Sequence, residues 1–163
     1  MSMKIELETW EYEYASHIGI RRFTANWAKS DAHYYDKNKM QDDRTAQVAS
    51  AIGELAVAKA VNQYWSASIW SGAEHDKYKY IPDVGKNIEV RRVRTQAGPA
   101  VRSKDLNRGL IIFGVRPVEP EFREVEILGW IEADAGWQIG IEKPYGKLIP
   151  IDKLFDVEQF NGT

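Results

Sequence analysis

The longest regular pattern in the chain is an apolar stretch with few polar interruptions, and it predicts a buried helix. From Arg44 to Tyr64 the sequence carries strong helix formers and no proline. Between Ala46 and Val61, apart from a glycine, the polar positions are Gln47, Ser50, Glu54 and Lys59. A helix that is apolar nearly all round is buried nearly all round, so this segment should lie in the core. Asp42 and Asp43 precede it and are expected to cap its first turn.

Shorter apolar runs predict strands. Ile88–Thr95 is β-branched and partly alternating, Leu110–Val115 is continuously apolar like a strand buried on both faces, and Val125–Ile131 makes a further strand. Minor elements are also expected: a short helix near residues 8–17 followed by irregular chain, a strand at Ser68–Trp70, a brief helix at Ser103–Asn107, and a tail at Leu148–Phe155 that packs back. These elements predict one α/β domain over residues 1–163.

Composition and charge narrow the class of protein. The chain has 163 residues, of which 44% are hydrophobic, so it can build one core. Its formal net charge of −2 offers no global basic field, and any nucleic-acid surface must be local. The absence of cysteine excludes disulfides, thiolate ligands and a thiol nucleophile. Residues 1–20 are too acidic for a signal peptide, and no apolar run approaches the ~18 residues of a membrane span, so we expect a cytoplasmic protein.

The most informative local feature is a pair of acids on either side of a short turn. Gly85-Lys86-Asn87 has the composition of a hairpin turn, and Asp83 and Glu89 flank it. If Val84 and Ile88 pair across this turn, the two acids become cross-strand neighbours with Cβ atoms roughly 5 Å apart, where like charges repel. A cation between them, or protonation of one, would relieve this repulsion. Oxygen ligands of this kind favour a hard divalent metal, magnesium first.

Glu54 is a second unusual acid because it lies on the apolar helix. At 100° per residue, Gln47, Ser50 and Glu54 fall on one narrow polar stripe. A carboxylate in such a place must be hydrogen-bonded, paired or metal-bound, since an unpaired buried charge costs several kcal/mol. The alternative to a metal-site role is an ion pair with Arg91, Arg92 or Arg94.

Basic side chains follow Glu89 along the chain. Period two places Glu89 and Arg91 on the same strand face, where they could form an ordinary ion pair or meet a phosphate. The cluster Arg91, Arg92, Arg94, Arg102, Lys104 and Arg108 could contact a phosphodiester backbone or form a solvated face. Arg21-Arg22-Phe23, with Trp27 and Lys29, has the basic and aromatic mixture used for single strands, although such aromatics more often fill a core.

Taken in order, these residues resemble a known superfamily. A helix glutamate in Gly53–Lys59, then Pro82-Asp83, then Glu89-Val90-Arg91, is similar to the PD-(D/E)XK nucleases, and most of all to small phage-encoded members. The resemblance extends over roughly residues 42–158 and leaves residues 1–41 outside as an N-terminal extension. It rests on order as well as motif, since the apolar strand 110–115, Gly129–Ile131 and Ile149-Pro150 before Asp152–Leu154 follow the usual succession.

The resemblance implies a restriction-endonuclease-like core, in which helices flank a central mixed β-sheet. It implies that Asp83, Glu89 and the backbone carbonyl of Val90 bind Mg²⁺ or Mn²⁺, and that Glu54 completes the acidic cluster directly or through water. It further implies hydrolysis of nucleic acid, most readily DNA, with Arg92, Arg94, Arg102 and Lys104 on the phosphate backbone. A homodimer is compatible with this class.

One position departs from the superfamily. Its lysine, two residues after the second acid, is Arg91 here. Lysine can orient or deprotonate an attacking water, whereas arginine is effectively never a base, although it can still stabilise developing phosphorane charge. Lys86 or Lys104 would have to supply any amine. The alternatives are therefore a catalytically silent nucleic-acid-binding module on the same fold, or a phage accessory interaction protein in which the acids are merely paired.

Overall fold

The structure, a computed structural model, describes residues 2–27, 37–69, 80–94 and 97–161. The helices are α1 (Thr9–Trp27), α2 (Lys37–Val61) and α3 (Ala133–Ile139). The strands are β1 (Met3–Glu6), β2 (Ile88–Arg92), β3 (Ala100–Val101), β4 (Ile111–Pro117), β5 (Glu124–Glu132), β6 (Ile141–Lys143) and β7 (Gly146–Leu148). Short 3-10 turns lie at Ser103–Asp105, Ile151–Lys153 and Val157–Gln159.

The main sheet is built around β4, whose apolar sequence is buried along nearly its whole length. Within the described residues its strands run in the order β1-β5-β4-β2. β4 pairs antiparallel with β5 and parallel with β2, and β1 pairs antiparallel with β5. The strands predicted at Leu110–Val115 and Val125–Ile131 are confirmed, as is the predicted α/β class with a mixed sheet and helices. β2 forms an edge of this sheet, so one side of its backbone can meet groups from other elements.

α1 and α2 pack on each other and cover one face of the sheet. The buried side of α2 includes Ala49, Ile52 and Ala56, whose spacing of three and four residues makes one apolar face. Close contact with β4 depends on Gly53, where a Cβ would stand 2.7 Å from Cγ2 of Val115. Within the described ranges, no helix is both long enough and apolar enough to cross a membrane.

The ends of both long helices differ from the sequence prediction. α2 begins at Lys37, so Asp42 and Asp43 lie inside it, and the cap predicted there is wrong. It ends at Val61 rather than Tyr64, because Asn62 takes a positive φ of 54°, a common way to stop a helix. α1 extends to Trp27, well beyond the predicted residues 8–17. Packing of Ala15 and Ile18 into the core sustains this longer helix where local pattern alone is weak.

The N-terminal residues form part of the main sheet and its helical layer, although the superfamily resemblance covers only residues 42–158. β1 is the outer neighbour of β5 in the sheet, and α1 is half of the helical layer. Leu7, between them, is buried. α1 also supplies a side chain to the candidate site, so this region is part of that site's construction.

The second face of the sheet carries smaller elements. β3, β7 and β6 form a three-stranded sheet in that order, and α3 packs nearby. A second core joins the two layers through the buried residues Val101, Leu110, Ile112, Ile131, Ala133 and Ile149. The brief helix predicted at Ser103–Asn107 is present as the 3-10 turn Ser103–Asp105. Ser68 and Ile69 are not in a strand, contrary to prediction, and Trp70 lies outside the described residues.

Candidate active site

The turn between Asp83 and Glu89 is a tight hairpin, as predicted. Val84 and Ile88 exchange both backbone hydrogen bonds, each at 3.1 Å. Gly85 provides the left-handed conformation that the turn needs, with φ of 58°. Its N–H donates to the carbonyl of Tyr64 at 2.7 Å, which ties the hairpin to the end of α2. The two acids are therefore held on one short, anchored segment.

Asp83 is fixed against the open edge of β2. Its Oδ2 accepts a hydrogen bond of 2.9 Å from the backbone N–H of Val90. The alternate residues Asn87 and Val93 bond to β4, through the Asn87 carbonyl and the Val93 N–H. Because the N–H and C=O of one strand residue point to the same side, the Val90 carbonyl also points to the edge where Asp83 lies.

Glu54 is buried and paired, but with a different arginine from those expected. Arg22 of α1 donates Nη1 to Oε2 at 2.8 Å and Nη2 to Oε1 at 3.0 Å. Trp65 adds a hydrogen bond from Nε1 to Oε1 at 3.1 Å, and Nε of Arg22 binds the Ser68 carbonyl at 2.8 Å. The ion-pair alternative for Glu54 is thus observed with Arg22 in place of Arg91, Arg92 or Arg94. Both Glu54 oxygens are engaged, so the direct metal ligation that the superfamily implies for Glu54 would compete with these bonds.

Arg91 is paired with an acid that the sequence analysis missed. Its Nη2 lies 2.8 Å from Oδ1 of Asp105, whose side chain is 1% exposed. The other oxygen of Asp105 accepts from the Arg102 N–H at 2.8 Å. Among the described residues, the buried Nη1 of Arg91 has no hydrogen-bond partner. The only sequence signal for Asp105 was the brief helix predicted around it, which indicates a turn but no partner.

Two of the three predicted acids, Glu54 and Asp83, meet two of the predicted bases at one cavity of about 490 Å³. It lies between the helical layer, the hairpin, the edge of β2 and the segment after β3. Its lining includes the whole predicted polar stripe together with one hairpin acid and two cations: Gln47, Ser50, Glu54, Asp83, Arg102 and Lys104. Glu89 and Arg91 are not among the residues that line this cavity.

Burial, with crowding by neighbouring acids, raises the pKa of both hairpin acids. Burial raises the pKa of Asp83 well above its usual range, and the charges of Glu54 and Glu89 raise it further against the hydrogen bond from Val90. Burial also raises the pKa of Glu89 against the opposing charge of Arg91, with Asp105 adding repulsion. Glu54 and Glu89 both act on Asp83, so the three predicted acids form one electrostatic group although they do not share one cavity.

This crowding predicts a pH-dependent stability without divalent metal. A folded-state pKa above the unfolded value means that the unfolded chain releases the Asp83 proton first as pH rises, so folding loses stability from about pH 4 up to the raised pKa. Asp83→Asn keeps an acceptor for Val90 but cannot ionise. Denaturant unfolding in EDTA measures the free energy of unfolding of both proteins. Relative to the wild type, this free energy should increase for the variant as pH rises through the window, and the difference should stay constant above it.

Asp152→Asn, at an exposed acid, is the matched control and should show no such trend. An Asp83→Asn difference that is constant from low to neutral pH would contradict the crowding.

The donor set partly fits the predicted metal. Within the described ranges, no three acidic or histidine side chains are grouped closely enough to hold one ion together. The fit rests on Asp83 and on the Val90 carbonyl beside it. Among the described residues, Oδ2 of Asp83 accepts a hydrogen bond and Oδ1 accepts none. Glu89, with its raised pKa, is the second carboxylate whose repulsion a cation would relieve. Glu54 contributes charge and holds Arg22 in place.

The four basic residues that the resemblance places on the phosphate backbone divide between two cavities. Arg102 and Lys104 line the acidic cavity. Arg92 and Arg94 instead line a separate cavity of about 420 Å³ that also includes Glu119 and Glu126. Arg92 is largely buried, and burial followed by repulsion from Arg94 lowers its pKa. Only the first pair is therefore placed beside the hairpin acids.

The basic and aromatic residues of α1 form a buried ion pair and a ring stack. Arg22 is committed to Glu54, and Phe23 stacks on Trp27 with ring centroids 5.6 Å apart. Lys29 lies outside the described residues. Phe23 and Trp27 are half-buried and lie outside the two core clusters of the described residues.

Comparison of the chain with known protein families, with curated proteins and with solved structures finds no match. The site must therefore be interpreted from its own geometry.

Proposed function

We propose that this protein is a divalent-metal-dependent phosphodiesterase acting on nucleic acid, DNA in the first place, on a restriction-endonuclease-like core. Support comes from the succession of Glu54 on a buried helix, Asp83 on a hairpin, and Glu89-Val90-Arg91 on the following strand. These three segments lie together at the β2 edge of the sheet. The order of these motif residues along the chain is by itself degenerate. Their order together with the position of the three segments at one edge of the sheet supports the superfamily resemblance.

The observation that carries the proposal is the mixture of charges around Asp83. Burial raises the pKa of Asp83, and the negative charges of Glu54 and Glu89 raise it further. On the same cavity, Arg102 and Lys104 provide positive charge. Glu54 is paired with Arg22, whereas among the described residues no ion pair joins Asp83 to Arg102 or Lys104. Here the acids favour a cation and the bases favour an anion, which is the requirement for a metal ion and a phosphate side by side.

Asp83, Glu89 and the Val90 carbonyl would hold Mg²⁺ or Mn²⁺. When bound, such an ion polarises a phosphate and lowers the pKa of a water. Glu54 adds negative charge beside Asp83 and holds Arg22 at the cavity. Arg102 and Lys104 would bind the phosphate backbone and orient the scissile bond.

Arg91 would act by charge. It cannot accept a proton, and its guanidinium is held by Asp105. Its buried Nη1, unpartnered among the described residues, is a donor available to a phosphate oxygen or to Glu89 after a small rearrangement. We therefore propose slow turnover, since no lysine stands at this position.

The test is incubation of plasmid and single-stranded DNA with Mg²⁺ or Mn²⁺. Wild type should cut slowly, and Glu89→Ala and Asp83→Asn should each cut more than about 100-fold slower, because groups that merely support metal ligands are already worth about 10–100-fold. Glu142→Ala, at an exposed acid on β6, is the matched control and should cut like wild type.

Cleavage that survives Glu89→Ala would come from a contaminant and would refute the enzyme proposal. A second function, a silent nucleic-acid-binding module, is favoured by the commitment of Arg91 to Asp105. It would show itself as salt-dependent DNA binding by wild type without metal-dependent cutting.

A further inference from the structure

A second, larger cavity adjoins the hairpin turn on the side away from Arg22. Its volume is about 770 Å³, and its lining is neutral or cationic: Gln63, Tyr64, Gly85, Lys86, Asn87 and Arg108, with Gly109. No acidic residue is among these lining groups. Lys86 and Asn87 belong to the turn that carries Asp83 and Glu89, so the two cavities share one hairpin.

Tyr64 lines this cavity with a large aromatic ring that is exposed to solvent. Its side chain is 78% exposed, the most exposed of the large hydrophobic residues described. The positive φ of Asn62 ends α2 and turns the chain here, and the Tyr64 carbonyl accepts from Gly85. The backbone at Tyr64 is therefore anchored while its ring stays outside the core. A tyrosine side chain has only two χ angles, so it loses little conformational entropy when it stacks on a ligand.

A second aromatic and a cation stand at the rim. Tyr80 is 60% exposed, and the Arg108 guanidinium lies 4.9 Å from its ring centroid. Arg108 is further held by the carbonyls of Lys104 and Tyr80, at 3.2 and 3.4 Å. Among the described residues, no carboxylate forms an ion pair with Arg108 or Lys86. Two cations, the held Arg108 and the exposed Lys86, thus remain available for anions beside an exposed ring.

The cavity also carries groups that suit base edges. Gln63 and Asn87 present amides, which can both donate and accept. Asn87 is oriented by a bond from Nδ2 to the Gly109 carbonyl at 3.1 Å, which leaves its Oδ1 as an acceptor. Aromatic rings with nearby cations are the combination that binds unpaired bases and their phosphates. In a duplex the bases are already stacked on one another and offer Tyr64 no face.

We propose that this cavity binds unpaired bases of single-stranded nucleic acid, with Tyr64 stacking on a base and Lys86 and Arg108 holding the flanking phosphates. The inference deepens the proposed function, because it names the strand form that reaches the Asp83 site. The connection to that site is the hairpin itself, since Lys86 and Asn87 line this cavity and lie in the turn between Asp83 and Glu89. A strand held at Tyr64 would continue past the hairpin toward the acids.

The test is fluorescence anisotropy with labelled oligothymidylate, oligouridylate and a duplex of equal length, in EDTA so that no cleavage occurs. Wild type should bind single strands more tightly than the duplex, and the two single-stranded probes show whether DNA or RNA is preferred. Tyr64→Ala should weaken single-strand binding about 5- to 150-fold, whereas Tyr64→Trp should retain it. Lys86→Ala should reduce the slope of log affinity against log salt by about 0.7.

The control is Tyr145→Ala, which removes a comparably exposed tyrosine, at 53%, beside Lys143 and Lys147 in the β6–β7 turn. It should bind like wild type. Equal binding by Tyr64→Ala and wild type, or tighter binding of the duplex, would overturn the inference even if the protein cleaves DNA. Tyr64-dependent binding without any cleavage would uphold it while the hydrolysis proposal fails.

Discussion

Replacing Arg22 by alanine should lower the free energy of unfolding by about 3–5 kcal/mol, the cost of leaving a buried charge without its partner. Arg22 and Glu54 have side chains only 12% and 7% exposed, and the pair is bidentate. After the substitution Glu54 keeps only the Trp65 hydrogen bond. The Ser68 carbonyl also loses its donor. Chemical denaturation at neutral pH would measure the loss.

The neighbouring Arg21 is exposed and provides the matched control, since Arg21→Ala should change stability by no more than about 0.5 kcal/mol. Arg22→Met combined with Glu54→Met should cost less than Arg22→Ala alone, because no unpaired charge remains. Near-wild-type stability of Arg22→Ala would mean that Glu54 has another compensating partner, and the electrostatic account of Asp83 would need revision.

Arg91→Ala should destabilise the fold by about 3–5 kcal/mol for the same reason. Asp105 is 1% exposed, and without Arg91 its Oδ1 loses the guanidinium, while Oδ2 keeps the Arg102 N–H. Arg91→Lys preserves the charge but loses the planar guanidinium, so it should cost less. Arg94→Ala, at an exposed arginine just beyond the same strand, should be nearly neutral and is the control.

Arg91→Lys also tests the chemistry. If Arg91 limits turnover because it cannot exchange a proton, the lysine variant should cut faster than wild type at equal folded fraction. If Asp105 holds the new ammonium instead, the variant should lose stability and gain no activity. A stable Arg91→Ala would show that the Asp105 pair is not a major support of β2.

The hairpin and the buried elements could be predicted from sequence because their causes are local. Gly85 with Lys86 and Asn87 specifies a tight turn, and turn geometry sets which residues face each other. The unbroken apolar run of β4 requires burial on both faces. Glu54 could be identified as unusual because one carboxylate on an apolar helix must find a partner.

The identities of the partners were beyond the sequence. Arg22 reaches Glu54 from a different helix, and Asp105 reaches Arg91 from a turn beyond β3. Both contacts join residues distant along the chain, and several arginines were equally plausible by spacing. Spacing along the chain also grouped Arg92 and Arg94 with Arg102 and Lys104. In the structure the first two, at the end of β2, line one cavity, and the last two, in the segment after β3, line another.

The helix boundaries show the competition between local and tertiary forces. α1 continues to Trp27 because Ala15, Ile18 and Gly19 are buried against neighbouring elements, a stabilisation absent from local propensity. Tyr64 was counted as the last residue of a helix, and only the turn at Asn62 revealed it as an exposed ring at a cavity.

The sequence by itself determined the α/β class, the buried helix with its polar stripe, the central strand and the hairpin that holds Asp83 near Glu89. These features depend on periodicity, burial and turn chemistry, which are properties of short segments. Only the tertiary structure decided that Arg22 pairs with Glu54 and Asp105 with Arg91, which bases share a cavity with Asp83, and that β1 and α1 form part of the main sheet and its helical layer. Those outcomes depend on how distant segments pack, because a charge removed from water must be satisfied by whatever group the fold brings within reach.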